Sequence, residues 1–311
     1  MKNTIIVVLG AIIAALVIFM VMQGSFDTFT ANNEKSKTDT KSQTTTTTDM
    51  TDDKMTDDQM DETEELPTET KIGTSVEGND IMAYHYGTGE KELVLVGGVH
   101  GAYAGNTTLL MNEMRTYFAA DGRLPADIRL TIIPALNPDG IEAVYGSPEL
   151  SESVTLKENN ATVAGRFNAN KVDLNRNFDC DWKATGVWRN QTVSGGSSAF
   201  SEPESQAIRD YVMAHKPAAV VVWFSAEGKV YPSACSGAPS TVSTKLASTF
   251  AEAADYPVES SFDAYVVNGD MVNWLAKENI PAISVLLTDY ETTELSQNLD
   301  GVKAVISTYL E

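Results

Sequence analysis

The stretch VLVGGVHGAYAGNTTLL, residues 94–110, joins two apolar runs through a pair of glycines and a histidine. The first run predicts a buried strand over residues 91–99, and the second predicts a helix over residues 106–120. His100 therefore follows a buried strand, where the sheets of α/β proteins place their ligands. The loop after it, residues 101–104, offers neither a carboxylate nor a second imidazole.

From residue 71 onward, the chain repeats this alternation of apolar runs with amphipathic stretches. Further strands are predicted at 128–136, 218–226 and 281–287, and further helices at 201–215, 243–254, 271–280 and 298–311. This pattern predicts an α/β fold, with a mixed and largely parallel central sheet flanked by helices on both faces. His100, Asn137 and Phe224 fall at carboxyl ends of predicted strands, and so does the loop after Leu287. A ligand site is expected at this edge.

The chain of 311 residues is strongly acidic, with 43 acidic and 22 basic residues and a formal charge of −21. Binding to nucleic acid needs a basic face that contacts phosphates, so we expect no nucleic-acid partner. Docking on anionic lipid through a basic patch is equally disfavoured.

The amino-terminal part is predicted to hold the protein at a membrane. Residues 4–22 carry no charge and are long enough to span a bilayer, which predicts a signal-anchor over residues 1–23. Lys2 favours a cytoplasmic amino terminus, and the rest of the chain would then lie on the extracellular face. A cleaved signal peptide is the alternative, and it leads to the same compartment.

Residues 24–70 are predicted to be a disordered acidic linker that is rich in Thr and Asp. The globular domain then covers residues 71–311. Cys180 and Cys235 are the only cysteines, and both lie in this predicted extracellular domain. One structural disulfide between them is expected, and two buried free thiols are the alternative.

Two arginines lie in the longest polar segments of the domain, which cover residues 134–146 and 165–182. Arg166 and Arg176 carry planar cations whose geometry suits a carboxylate, so they indicate an anionic ligand. The alternative is that they pair with the nearby Asp173 or Asp179.

Several sequence motifs occur in an order that is typical of one enzyme family. They are GGVHG (97–101), NPDG (137–140), GRFNANKVDLNRNFD (165–179), WFSA (223–226), YVVNGDMVNWLA (265–276) and PAISVLLT (281–288). From about residue 72 to the carboxyl terminus, the domain resembles the zinc metallocarboxypeptidases of the carboxypeptidase A-like family. It is most similar to a bacterial extracellular branch. The resemblance implies the phosphorylase/hydrolase-type fold, zinc as cofactor and peptides as substrates.

The same resemblance implies roles for four residues that match the family motifs. Arg176 and Asn175 would grip the terminal carboxylate of a bound peptide. Arg166 would polarise the scissile carbonyl, which is physically sensible for a cation beside developing negative charge. Tyr265 would cover the substrate.

The residues that would hold and assist zinc are mostly replaced. A catalytic zinc takes three protein ligands and works with a general base. His100 keeps the first ligand position, but Ala104 and Phe224 stand at the other two, and Leu286 stands at the general base. Glu227 is the nearest candidate carboxylate, and one His with one carboxylate is a poor zinc site. We therefore expect zinc to be lost or weakly held.

Three functions remain open on the sequence. The first is a catalytically degenerate domain that binds peptides with a free carboxylate, such as cell-wall peptides. The second is an active zinc metallocarboxypeptidase with an atypical metal site that includes His100 and Glu227. The third is a structural or partner-binding module. His85 and His215, the other histidines, are expected to have structural or surface roles.

Overall fold

Residues 68–120 and 122–310 are described by a computed structural model. The predicted anchor, residues 1–23, lies outside the described residues. Of the predicted linker, only residues 68–70 are described. In the described part of the chain, every helix is too short or too polar to cross a membrane. The first strand begins at Glu69, two residues before the predicted start of the domain.

Nine strands and six α-helices make up the described part of the chain. The strands are β1 (Glu69–Thr74), β2 (Asp80–Tyr86), β3 (Lys91–Val96), β4 (Ile128–Ile133), β5 (Thr185–Trp188), β6 (Gln191–Ser194), β7 (Ala219–Ser225), β8 (Lys229–Pro232) and β9 (Ala282–Leu287). The helices are α1 (Gly105–Phe118), α2 (Pro138–Tyr145), α3 (Pro203–His215), α4 (Thr241–Ala254), α5 (Met271–Lys277) and α6 (Leu295–Ala304). A π-helical turn, Val305–Tyr309, continues α6.

Seven strands form one mixed sheet in the order β1-β2-β4-β3-β7-β9-β8. The four central strands β4, β3, β7 and β9 are parallel to one another, whereas β1, β2 and β8 join antiparallel at the two edges. Strands β5 and β6 form a separate hairpin. The predicted α/β fold with a largely parallel central sheet is confirmed.

Strand β7 shows why the apolar runs are continuous rather than alternating. Val221 and Trp223 pack on the face covered by α1, α4 and α6, while Val222 and Phe224 pack on the face covered by α3 and α5. Both faces are buried along residues 219–224, so each of these positions is apolar. The indole N–H of Trp223 donates to Asn298 Oδ1 at 2.7 Å, which satisfies its only polar group.

Strands β1, β5, β6 and β8 and helix α2 are not among the elements predicted from the sequence, whereas β2 falls in residues 81–87, a segment that is strand-like in sequence. Each of β5, β6 and β8 has only four residues, and β1 is a partly exposed edge strand. Such short or half-exposed segments carry little hydrophobic periodicity, because pairing with a neighbour stabilises them rather than their own pattern. Helix α2 is eight residues long, and its start is marked by Asn137, whose side chain accepts from Gly140 N.

Candidate functional site

A large cavity opens at the carboxyl ends of the parallel strands, as the sequence predicts. Its volume is about 1180 Å³. The ends of β7 and β9, the turn after β3, the β5–β6 hairpin and the loop of residues 260–267 form its walls. Of the residues predicted to form the site, His100, Arg166, Asn175, Phe224, Tyr265 and Leu286 line this cavity, as does Glu227.

His100 reaches the cavity because the chain turns sharply after β3. Gly98 has a left-handed backbone (φ +62°), and a Cβ on it would lie 2.7 Å from Ala135 Cα, so glycine is required there. The His100 side chain is buried, and neither ring nitrogen has a hydrogen-bond partner. Burial, together with the nearby charge of Arg166, lowers the pKa of His100 to about 4. The imidazole is therefore neutral at neutral pH.

Arg166 and Asp173 form a buried ion pair beside His100. Arg166 donates from Nε and Nη2 to Asp173 Oδ2, at 3.0 and 2.8 Å. The other carboxylate oxygen, Oδ1, lies 3.6 Å from His100 Nε2 and accepts no hydrogen bond. Arg166 therefore pairs with a nearby acid, which is the alternative that the sequence left open. Asp179 pairs instead with Lys277.

Arg176 lies behind the cavity wall instead of in its lining. Its guanidinium is buried and donates to two backbone carbonyls, Val266 O at 3.3 Å and Val187 O at 3.2 Å. The ring of Tyr265 lies over it, with its centre 5.5 Å from the guanidinium carbon. Arg176 thus ties the 260–267 loop to the β5–β6 hairpin. The neighbouring Asn175 does line the cavity, and its Oδ1 accepts from Met271 N at 3.2 Å.

The positions at which zinc chemistry would be expected are apolar in this structure. The Phe224 ring lies 5.4 Å from the His100 ring, Leu286 lines the same cavity, and Ala104 is buried. Glu227 is engaged by Lys229, whose Nζ lies 3.3 Å from its carboxylate.

In the described ranges, no three His, Cys, Asp or Glu side chains converge in a way that could hold a metal ion. The other two histidines lie elsewhere, since His85 bonds to Thr131 and Thr70, and His215 lies 3.6 Å from Glu92. The donor set around His100 therefore does not fit zinc, because one imidazole is far short of the three ligands that a catalytic zinc needs.

Two features of the site were missed by the sequence analysis. Asn106 is fully buried, donates to the carbonyls of Asp289 and Thr292, and accepts from Ser225 Oγ, so it fixes the loop after β9. Its position in the first turn of a helix gives no signal of this role. The β5–β6 hairpin contributes Trp188 to the cavity wall. The short alternating segments on both sides of Arg189–Asn190 are the only signal for that hairpin.

Cys180 and Cys235 form the expected disulfide, with their Cα atoms 5.9 Å apart. It joins the segment after Arg176 to the loop after β8. Both segments lie next to the cavity, so the disulfide restrains the movement of two parts of the cavity wall relative to each other.

The sequence profile of the zinc carboxypeptidases matches residues 53–298 of this chain. The chain belongs to the zinc carboxypeptidase family. Gamma-D-glutamyl-L-diamino acid endopeptidase 1 of Lysinibacillus sphaericus is 27% identical over 182 residues, which are 52% of this chain and 46% of that protein. Carboxypeptidase B of Astacus astacus is 23% identical over 157 residues, which are 48% of this chain and 50% of that protein. The chain thus spans about half the length of these two relatives.

Two solved structures share the fold. Murein-tripeptide amidase MpaA from Escherichia coli O157 superposes with a TM-score of 0.56 at 21% identity, covering 79% of this chain and 93% of its own. Carboxypeptidase A from Helicoverpa armigera superposes with a TM-score of 0.60 at 20% identity, covering 78% of this chain and 68% of its own. The mixed sheet and its helices are therefore those of the carboxypeptidase fold.

Proposed function

We propose that this domain binds peptides that carry a free terminal carboxylate and does not hydrolyse them. The ligand class that we propose is the peptides of bacterial murein. The bacterial relative is named for a γ-D-glutamyl-L-diamino acid linkage, and the bacterial structure is named for a murein tripeptide. Both names support a ligand of this class.

The observation that carries the proposal is that apolar side chains, Phe224 and Leu286, stand in the cavity of His100 where a zinc ligand and a general base would be expected. A hydrolase of this kind needs a group that activates water next to the scissile carbonyl. Phe224 and Leu286 offer no proton acceptor. The carboxylate of Glu227 forms an ion pair with Lys229. His100 is neutral and buried, and Oδ1 of the Asp173 carboxylate lies 3.6 Å from its Nε2. These contacts support binding without bond cleavage.

Two polar residues of the cavity support the proposal that the domain binds a carboxylate. Arg166 and Asn175 present a cation and an amide to the cavity, and Asp173 fixes the orientation of the Arg166 guanidinium. A guanidinium held in this way loses little conformational entropy when a carboxylate binds to it. Because Arg176 is covered by Tyr265, the first contacts of a peptide would be with Arg166 and Asn175.

The test uses the full-length chain and a triple variant, Ala104→Glu, Phe224→His and Leu286→Glu, which restores the expected donors. Bound zinc is measured by atomic absorption, and peptide binding by calorimetry with the acid and the amide of the same tripeptide. We expect the native chain to hold no zinc, to release no terminal residue and to prefer the acid.

One tightly bound zinc with chelator-sensitive release of the terminal residue would instead establish an active peptidase. Equal binding of the acid and the amide, or no binding at all, would favour a structural or partner-binding module. The triple variant is a positive control for zinc uptake.

The location of the domain is part of the proposal. The uncharged residues 4–22 support a membrane anchor, and the Cys180–Cys235 disulfide supports an oxidising compartment outside the cytoplasm. Protease added to intact cells should remove the domain from the surface. Full protection of the domain would refute this placement.

A further inference from the structure

A second guanidinium group lies at the mouth of the cavity. Arg189 sits in the tight turn between β5 and β6, where its backbone is left-handed (φ +48°), and it lines the cavity next to Trp188. It lies outside every motif that suggested the family.

The two cations of the cavity differ in how their charge is balanced. Arg166 is neutralised by Asp173 through two hydrogen bonds. The side-chain partner of Arg189 is a neutral amide, since its Nη2 donates to Asn159 Oδ1 at 2.8 Å. Throughout residues 68–120 and 122–310, no carboxylate oxygen lies within 4.0 Å of the Arg189 side-chain nitrogens. The Arg189 side chain is exposed and its hydrogen-bond partner is uncharged, so an anionic group of a ligand in the cavity can reach its guanidinium from solvent.

The Arg189 guanidinium is also held in place before any ligand arrives. Its central carbon lies 5.1 Å from the centre of the Trp188 ring and 5.5 Å from that of Tyr103. Arg166 lies over the same two rings, at 4.4 and 5.4 Å. Aromatic faces attract guanidinium groups and restrict their motion. The two cations thus lie near the same two aromatic rings, so one ligand can contact both.

We infer that Arg189 binds a second carboxylate of the ligand, so that the domain selects peptides with two anionic groups. This inference rests on the proposed function, in which the terminal carboxylate lies near Arg166 and Asn175. Two sources supply the second carboxylate. A γ-linked glutamyl residue leaves its α-carboxylate free, and an α-linked Glu leaves its side-chain carboxylate free.

The test is calorimetry on the full-length chain with matched tripeptides. The γ-linked pair is L-Ala-γ-D-Glu-L-Lys and its analogue with the glutamyl α-carboxylate amidated. The α-linked pair is L-Ala-L-Glu-L-Lys and L-Ala-L-Gln-L-Lys. A fifth peptide is the first one with a terminal amide. The protein variants are Arg189→Gln and, as a matched control, Arg123→Gln. Arg123 is an exposed arginine stacked on Tyr117, outside this cavity.

We expect the native chain to bind one acid form about tenfold more tightly than its amidated partner, as one charge-assisted hydrogen bond would give. Arg189→Gln should abolish that preference and leave the affinity for the amidated form unchanged, whereas Arg123→Gln should keep the preference. Whichever peptide pair, γ-linked or α-linked, shows this preference identifies the source of the second carboxylate.

Equal binding of the acid and amidated forms, with the terminal carboxylate still required, would overturn the role of Arg189 and leave the proposed function standing. A preference that survives in Arg189→Gln would also overturn it. If the terminal amide binds as well as the acid, or if no peptide binds, the proposed function fails and this inference fails with it.

Discussion

Replacing Asp173 by asparagine removes the charge of a fully buried carboxylate while almost preserving its shape. Burial by itself raises the pKa of this carboxyl, but the Arg166 guanidinium holds the pKa well below its usual range. Asp173→Asn would therefore leave the buried Arg166 cation without its counter-charge. Removing one partner of a buried ion pair costs about 3–5 kcal/mol of unfolding free energy.

This cost applies to Asp173→Asn because Arg166 donates two hydrogen bonds, at 3.0 and 2.8 Å, to one oxygen of Asp173. In a domain of this size, 1 kcal/mol corresponds to a shift of about 2–4 °C in Tm, so we expect Asp173→Asn to lower Tm by about 10 °C at pH 7. The measurement is thermal unfolding followed by tryptophan fluorescence, with the disulfide intact in each sample.

Asp179→Asn is the matched control. Asp179 also forms an ion pair, with Lys277 at 2.7 Å, but both side chains are about half exposed. Water screens such a pair, so its loss should leave Tm almost unchanged. Equal shifts in the two variants, or no shift in either, would refute the conclusion that desolvation makes the Arg166–Asp173 pair important.

The pH profile gives a second readout of the same group. Because the pKa of Asp173 is lower in the folded than in the unfolded chain, its stabilisation is complete above the unfolded pKa of about 4 and is lost below it. The native chain should thus lose stability more steeply than Asp173→Asn as the pH falls below about 4. Parallel profiles would contradict this assignment.

Three further changes have expected outcomes. Burial lowers the pKa of His85 to about 4, so His85 alone should reduce the free energy of unfolding by about 3 kcal/mol as the pH drops from 6.5 to 4. Urea titrations of His85→Gln should therefore show a smaller fall over this range than those of the native chain, and equal falls would contradict this assignment. The Cys180–Cys235 disulfide closes a separation of 55 residues, so reducing it should lower the free energy of unfolding by about 4 kcal/mol in the same assay. An unchanged free energy of unfolding would contradict this expectation. Gly165→Ala should lower Tm, since its Cβ would lie 2.4 Å from Gly140 O, and overpacking costs about 1–3 kcal/mol; an unchanged Tm would show that the two segments can separate freely.

Much of the fold could be predicted because the central strands are buried on both faces. The runs at 91–99, 128–136, 218–226 and 281–287 contain four observed strands, and the first three of these end before the predicted strand does. The residues left over at the ends of those three runs lie in the turns that follow the strands. Apolar turn residues next to a strand carry the same signal as the strand itself, so periodicity could not separate them.

The candidate site could be predicted only in part. Motif order indicated His100, Arg166, Asn175 and Tyr265, and the structure brings them to one cavity. The same motifs predict that Arg176 grips the ligand, and that role stays a prediction. In this structure its guanidinium donates to the carbonyls of Val266, in the 260–267 loop, and of Val187, in β5. The backbone partners of a side chain depend on how distant loops fold over it, and local sequence does not contain that information.

The sequence by itself determined the α/β class and the acidic charge of the chain, because these follow from local periodicity and from composition. The replacement of the expected zinc ligands is implied by the resemblance to the family motifs. Only the tertiary structure decided which charges are compensated. Asp173 neutralises Arg166, while Arg189, in an equally polar segment, faces an amide and two aromatic rings. Electrostatic pairing depends on distances of a few ångströms and on exclusion of water. Both are set when segments far apart in the chain pack together.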